Sequence, residues 1–478
     1  MIRLSEPSIN SGQGTRERLL QKSEQPFARH GFDITVYFKG LLIYILLLPI
    51  VFGGMAKAQQ PQSTRELSLK EAIELAKAQN NWVQIARTEV EAASAELKDA
   101  YNAALPNINT STAYQRYSDL TLYTDGLNHS TTGPRKPNAN AANLGMDASF
   151  ILYSGGKQRS YQEEMQTRQT MAGINAEDQA GSYGLQTAGQ YLDLVRLAEL
   201  RKFILDQMKR AEARLKNINS LYKNQKVTRS DVLRAEVMLS NVVLSLQQVD
   251  NDLTIADQRL AVLLNLPDTV RIILSDSAGM PKPECSALID LVAAAPQTSF
   301  AGQKAEQSIN LQQTRVKSLK SNYLPTLSFI TAYGLNYPNN LFFPPVDQAY
   351  SIGFVGLRAQ YSISSLYQNK HKVNAGKLRL SEVQKQQLAT ADNIRQETGS
   401  LLIKYREALN RIAVKEKTIE QTQVNYRIVN TKYFNQLALL TDLLDADNLL
   451  TESRFDLIRA QTDALSIYYR LRYAAGKL

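Results

Sequence analysis

The sequence predicts an α+β membrane protein: a trimeric 12-stranded β-barrel, four strands per chain, continued by a long α-helical coiled-coil barrel. Three observations predict it. The chain is written twice, because Leu105-Pro106 returns 219 residues later as Leu324-Pro325, and Asp231 returns 211 residues later as Asp442. Each copy carries two short runs that alternate apolar and polar residues. Each pair of runs is followed by a proline-free helical stretch far longer than a globular domain uses. The two offsets differ by 8, so one copy is shorter somewhere between the landmarks.

Composition suits long helices, with 44% hydrophobic and 21% charged residues. The formal net charge of +10 falls to +7 without residues 1–58, which hold seven basic and four acidic side chains. The remainder is scattered in mixed sign along helices, with no basic stripe interleaved with aromatics, which argues against nucleic acid as a partner. Cys285 is the only cysteine, excluding an internal disulfide framework and a cysteine-rich metal site. His30, His129 and His371 are dispersed, and no nucleophile–base or metal-ligand constellation is visible. The reading is therefore of a non-enzyme that needs no cofactor.

Residues 1–58 read as a signal peptide. Lys39 precedes the apolar run Leu41–Phe52, and Ala56-Lys57-Ala58 places small residues at the two positions a signal peptidase reads. The apolar run is too short to span a bilayer comfortably, which favours export over anchoring. The first structural repeat then occupies 59–283 and the second 284–478.

The first copy begins at Ser68-Leu69-Lys70-Glu71, a capping-box spacing, followed by Ala72, Ile73, Leu75 and Ala76 at helical spacing. A turn at Asn80-Asn81 leads to a second helix, and Pro106 ends it by lacking an amide donor. From Asn107 the period becomes two: Ile108, Thr110, Thr112 and Tyr114 share one face. After a polar stretch at about residues 118–142, Leu144, Met146, Ala148, Phe150 and Leu152 alternate with Gly145, Asp147 and Ser149. That dyad suits a strand with one face to lipid and one to a lumen. Tyr153-Ser154-Gly155-Gly156 closes it; with no phosphate-binding pattern around them, these glycines read as a turn. A helical run from Lys157 to Asn224 would make a rod of roughly 100 Å at 1.5 Å per residue. Gln225–Arg229 breaks the rod, Ser230-Asp231 opens a return helix, and Leu266-Pro267 ends that helix. Asp268–Pro283 reads as a connector.

The second copy repeats the order. A short helix lies near Ala287–Ala295 and a longer one reaches Tyr323. Strands start at Thr326 and Ser351, a rod spans Gln368–Phe434, and a return helix runs from Thr441 to the end. The connection Tyr337–Tyr350 is the shorter outer loop and accounts for the difference of 8. Val355, Leu357, Ala359 and Tyr361 form the apolar face of the last strand, whereas Ile352 and Phe354 fall on the other face. A bulge or rim position near 354 would explain that. The aromatics Tyr114, Tyr117, Phe150, Tyr153, Tyr333, Tyr337 and Tyr361 suit interfacial girdles or packing where barrel meets rod.

Open strand edges in lipid would each leave unpaired backbone groups, so the sheet must close. Four strands cannot close alone; three chains supply twelve. At this point the chain resembles the TolC-type outer-membrane efflux family over essentially all of residues 67–478. The resemblance is carried by Leu67-Ser68-Leu69-Lys70-Glu71-Ala72, the Leu-Pro pairs at 105 and 324, Tyr153-Ser154-Gly155-Gly156, Gln190-Tyr191-Leu192-Asp193-Leu194, and Val227 to Leu233. It implies an outer-membrane exit channel of a tripartite efflux pump or type I secretion system, passively conducting substrates to the exterior. The implied form is a homotrimer set in outer-membrane lipid, extending into the periplasm toward a periplasmic adaptor and an inner-membrane transporter. The other reading of the rods is an exported coiled-coil scaffold or adaptor without a pore.

Asp442 and Asp445, three residues apart, share a helix face. Asp442-Leu443-Leu444-Asp445 matches the family's Asp-Val-Leu-Asp, whose aspartates line the periplasmic aperture, so three-fold symmetry would gather six carboxylates into a cation-selecting ring. Aspartate near a helix start also suits a cap. Asp231 fits the family's gate-latching acid or a cap, and Tyr433 falls where a family tyrosine partners that acid. Where some members carry a latching arginine this chain has Ala438, so that latch is absent or rebuilt, with Lys226 or Arg229 as candidates. Val227, Thr228, Ser230, Leu439, Leu440 and Thr441 are the expected helix-tip contacts to a partner.

Overall fold

A computed structural model of the chain describes residues 64–118, 121–123, 126–128, 130–132, 138–267, 270–275, 285–341 and 346–478. The signal peptide at 1–58, His30, His129 and most of the connector at 268–283 lie outside the described residues.

The chain enters through a strand, β1 (Thr64–Leu67), and two helices, α1 (Leu69–Gln79) and α2 (Asn81–Asn102). The expected capping box is present: the Glu71 amide donates to Ser68 Oγ at 3.3 Å, and the Ser68 amide donates to Glu71 Oε2 at 2.9 Å. That bond to the Ser68 backbone, with the one to its side chain, holds the Glu71 carboxyl below its ordinary pKa. Next come β2 (Asn107–Arg116), the short strands β3 (Thr121–Tyr123) and β4 (Ser130–Thr132), and β5 (Asn140–Tyr153). The first rod is α3 (Lys157–Lys223) and its return is α4 (Arg229–Leu263). Beyond β6 (Arg271–Leu274) the order recurs as α5 (Cys285–Thr298), α6 (Phe300–Ser321), β7 (Thr326–Tyr337), β8 (Tyr350–Gln360), the second rod α7 (Ser365–Phe434) and its return α8 (Leu440–Ala474).

Three elements differ from the sequence reading. The connector is not featureless: β6 pairs in parallel with β1, a contact too distant in sequence for local pattern to announce. Two short strands, β3 and β4, pair inside the polar outer loop. Return helix α4 starts earlier than Ser230-Asp231, with Thr228 as its N-cap.

The four longer strands form one antiparallel sheet in the order β2-β5-β7-β8. Its register aligns the predicted apolar faces across both copies. Ile108 lies opposite Ala148, Thr110 opposite Met146 and Thr112 opposite Leu144. Leu144, Met146 and Phe150 then oppose Leu335, Tyr333 and Phe329, and Phe329 and Thr331 oppose Leu357 and Val355. Because directly opposed residues point to the same face, one apolar surface runs over all four strands. The reverse face carries Asn109, Ser111, Asp147 and Ser149, with Asn109 Nδ2 donating to Asp147 Oδ2 at 3.1 Å.

The bulge expected near residue 354 is not there. The β7–β8 register runs unbroken through Phe354, and the irregularity lies between Ile151 and Tyr153 on β5. Phe354 and Ile352 stay on the polar face, opposite Ala332, which carries only a methyl group, and Gly334, which has no side chain. Among the aromatics, Tyr114 and Tyr337 fall at the loop end of the sheet, Tyr153 and Tyr361 at its rod end, and Tyr333 in mid-strand.

The largest apolar cluster lies partway along the rods. It joins Leu67, Ile73 and Ala76 to Tyr191, Leu192, Leu194 and Val195 of α3, Leu260 and Leu264, Ile272 of β6, and Leu465 of α8. Asp257 of α4 accepts from the Ile272 amide at 3.3 Å, and its burial there pushes its pKa up. Leu465 brings the second copy into this core, while a separate cluster of Leu288, Leu401, Tyr405, Ile412 and Leu471 lies wholly within the second copy.

Candidate functional site: the helical tips

Each rod ends in the same turn. Gln225 and Gln436, 211 residues apart, adopt positive φ of 57° and 63°. Behind them the Lys226 amide donates to the Leu221 carbonyl at 2.9 Å, and the Leu437 amide to the Lys432 carbonyl at 2.8 Å. This wrap of the last turn satisfies carbonyls that a helix end otherwise leaves bare. Asn265 and Gly476, again 211 apart, end the two return helices with the same geometry.

The return helices start differently. At the first tip Thr228 caps α4: its Oγ1 accepts from the Asp231 amide at 3.3 Å, while Asp231 Oδ2 accepts from the Thr228 amide at 2.9 Å and from Thr228 Oγ1 at 2.7 Å. At the second tip Leu439 has no hydroxyl, so only half of this box survives: Asp442 Oδ2 accepts from the Leu439 amide at 3.0 Å. Asp442 is therefore both exposed and engaged at the start of its own helix. Asp445, one turn on, is also exposed.

Asp231 spends its carboxylate on Thr228 and makes no ion pair with Lys226 or Arg229. Tyr433 is 8% exposed, and its Oη has no hydrogen-bond partner. Burial, with Asp231 adding, raises its pKa, while Arg214 acts in the opposite sense. Within the chain, then, the Asp231–Tyr433 bond is not made. Around Tyr433 the two tips share an apolar cluster of Ile218, Val232, Ala235, Leu440, Leu443 and Leu444. Leu440, expected at a partner surface, is instead 5% exposed in that cluster, where it holds the tips together. Thr228, Ser230 and Leu439 are exposed, and Val227 and Thr441 half-buried.

The residue that sequence reasoning passed over is Asp447, 2% exposed on α8. Its Oδ1 accepts from Arg210 Nε and its Oδ2 from Arg214 Nη2, both at 2.7 Å. Arg210 also donates to Thr451 Oγ1 at 3.2 Å and lies 5.9 Å over the Tyr426 ring of α7. A signal existed: Asp447 interrupts the apolar series Leu443, Leu444, Ala446, Leu450, and Arg210 and Arg214 stand four apart on one face of α3. Away from the tips, Asp178 of α3 accepts from Lys304 Nζ and from Tyr473 Oη, each at 2.7 Å, and burial with that bond pushes the Tyr473 pKa up to about 12. Among the described residues, no group of three His, Cys, Asp or Glu side chains could hold a metal ion, and no helix is long and apolar enough to cross a membrane.

Solved structures of outer-membrane channels are similar to this chain in fold. The VceC outer-membrane protein of Vibrio cholerae is 15% identical, covering 85% of this chain and 96% of its own, with a TM-score of 0.69. The CmeC outer-membrane channel of Campylobacter jejuni is 17% identical over 86% of this chain and 85% of its own, also at 0.69. The open state of the MtrE outer-membrane channel of Neisseria gonorrhoeae is 16% identical over 85% and 88%, at 0.66. Neither a family model nor a curated protein matches the sequence. The likeness is thus one of fold, and it agrees with the fold of the family that the sequence motifs resemble.

Proposed function

We propose that this chain is the outer-membrane exit channel of a tripartite efflux pump or a type I secretion system, acting as a homotrimer that passively conducts substrates from the periplasmic side to the exterior. The observation that carries the reading is the sheet register, in which one apolar face spans β2, β5, β7 and β8 while Asn109, Ser111, Asp147 and Ser149 line the reverse. An apolar face open to water would favour aggregation; against lipid it is stable. Strands β2 and β8 are the sheet edges, and in lipid their free backbone groups need partners. Pairing β8 of one protomer with β2 of the next closes twelve strands from three chains. The rods continue the tube toward a periplasmic adaptor and an inner-membrane transporter, with Val227, Thr228, Ser230, Leu439 and Thr441 at the end that a partner meets.

In this reading Asp442 and Asp445 form the periplasmic pore ring. Both are exposed on one face of α8, and six such carboxylates around a three-fold axis attract cations and repel anions. Purified protein should migrate as a heat-modifiable trimer and conduct in planar bilayers with cation preference. Asp442→Asn together with Asp445→Asn should move the reversal potential toward zero in a salt gradient; unchanged selectivity would remove the ring. A purely soluble periplasmic monomer would overturn the channel in favour of a coiled-coil scaffold.

A further inference from the structure

We propose that Asp447, clamped by Arg210 and Arg214, is the positioning residue that aims the Asp442 and Asp445 carboxylates into the pore; this rests on the channel reading above. The argument is geometric. At about 100° per residue, Asp447 lies roughly 200° around α8 from Asp445 and roughly 140° from Asp442. The side of α8 that holds Asp447 faces α3, so the two exposed aspartates are turned away from α3 to the free side of the helix.

The clamp has the features of a directional device. Each carboxylate oxygen takes one guanidinium bond at 2.7 Å, which fixes rotation of α8 about its own axis as well as its distance from α3. Apolar neighbours such as Leu443, Leu444 and Leu450 press the same side of α8 inward, yet greasy contacts tolerate rotation and sliding that a two-point ionic contact does not. Arg210 ties in a third element by lying over Tyr426 of the second rod and donating to Thr451 one turn beyond Asp447. Gln207 Nε2 donates to Asn448 Oδ1 at 3.2 Å, extending the seam along the two helices. The first copy has no equivalent. At the position 211 residues before Asp447 stands Glu236, which is exposed. The clamped carboxylate therefore belongs to the copy that carries the paired aspartates, and its two arginines come from the first copy.

The test compares ion selectivity and conductance of heat-modifiable trimers in planar bilayers. Asp447→Asn, which keeps both aspartates of the ring, should lose most of the cation preference and raise conductance severalfold. Arg210→Gln, a milder change at a residue partly open to solvent, should move both readouts in the same direction by less. The conservative Asp447→Glu, which keeps a carboxylate for both guanidinium groups, should retain most of the selectivity that Asp447→Asn loses. Wild-type cation preference that is unaltered in Asp447→Asn and Arg210→Gln overturns the positioning role. A wild-type channel that is insensitive to removal of Asp442 and Asp445 instead overturns the ring itself, so the two failures read differently. A loss in Asp447→Glu as large as that in Asp447→Asn assigns Asp447 to packing and also overturns the proposal.

Discussion

At the residue scale, the first tip shows a carboxylate committed to the start of its own helix. Asp231 reads either as a latch toward Tyr433 or as a helix cap, and within the chain it makes the cap, accepting two bonds from Thr228. Tyr433 is left with a buried hydroxyl that bonds to nothing in its own chain. An unsatisfied buried hydroxyl costs about 1–3 kcal/mol, so Tyr433→Phe is expected to be neutral or stabilising in thermal unfolding of the protein. A clear destabilisation would mean that a neighbouring protomer supplies the partner. Asp447 is the converse case. Its helical position was legible, and its interruption of an apolar series was the available hint, but its arginines lie more than two hundred residues away. No local pattern encodes such a pairing.

At the element scale, the junctions between strand and rod carry the strictest backbone demands. Gly155 has a φ of +63°, and a Cβ there would meet Leu324 Cβ at 2.7 Å and the Ser321 carbonyl at 2.9 Å. Gly156, at +83°, faces open space. Both positions favour glycine conformationally, but only Gly155 is also packed against the Leu-Pro turn of the second copy. Gly155→Ala should therefore lower the yield of folded protein well below that of Gly156→Ala; equal yields would show that the close approach to Leu324 relaxes freely. Element order, the two rods, the capping box at Ser68 and the shorter outer loop were all legible, because period and punctuation are local properties. The β1–β6 pair was not, since four-residue strands in parallel depend on a contact across some two hundred residues.

At the scale of the whole molecule, the orientation of the proposed channel in lipid rests on one alternation kept in step across both copies. Met146 and Asp147 are adjacent on β5 but belong to opposite faces of the sheet. Met146→Arg would put a charge toward the hydrocarbon, at a cost of about 2–4 kcal/mol per chain near the bilayer midplane. It should abolish assembly into the outer membrane, whereas Asp147→Asn should assemble normally with changed conductance. Equal assembly of the two variants, measured by fractionation, would reverse the assigned faces. Ile352 and Phe354 remain on the polar face because Gly334 and Ala332 oppose them, a compensation that only the register reveals.

The sequence by itself determined the recurring order of strands and rods, the alternation that sets the faces of the sheet and the three-residue spacing of Asp442 and Asp445, since each depends on spacings within a few residues or on a repeated spacing. Only the tertiary structure decided the strand register through which the copies join at β5 and β7, the β1–β6 pair, and the burial of Asp447 between Arg210 and Arg214. The physical reason is the same in each case. A hydrogen bond or ion pair between distant segments exists only once packing has brought them together, and the spacing of residues along the chain holds no record of that approach.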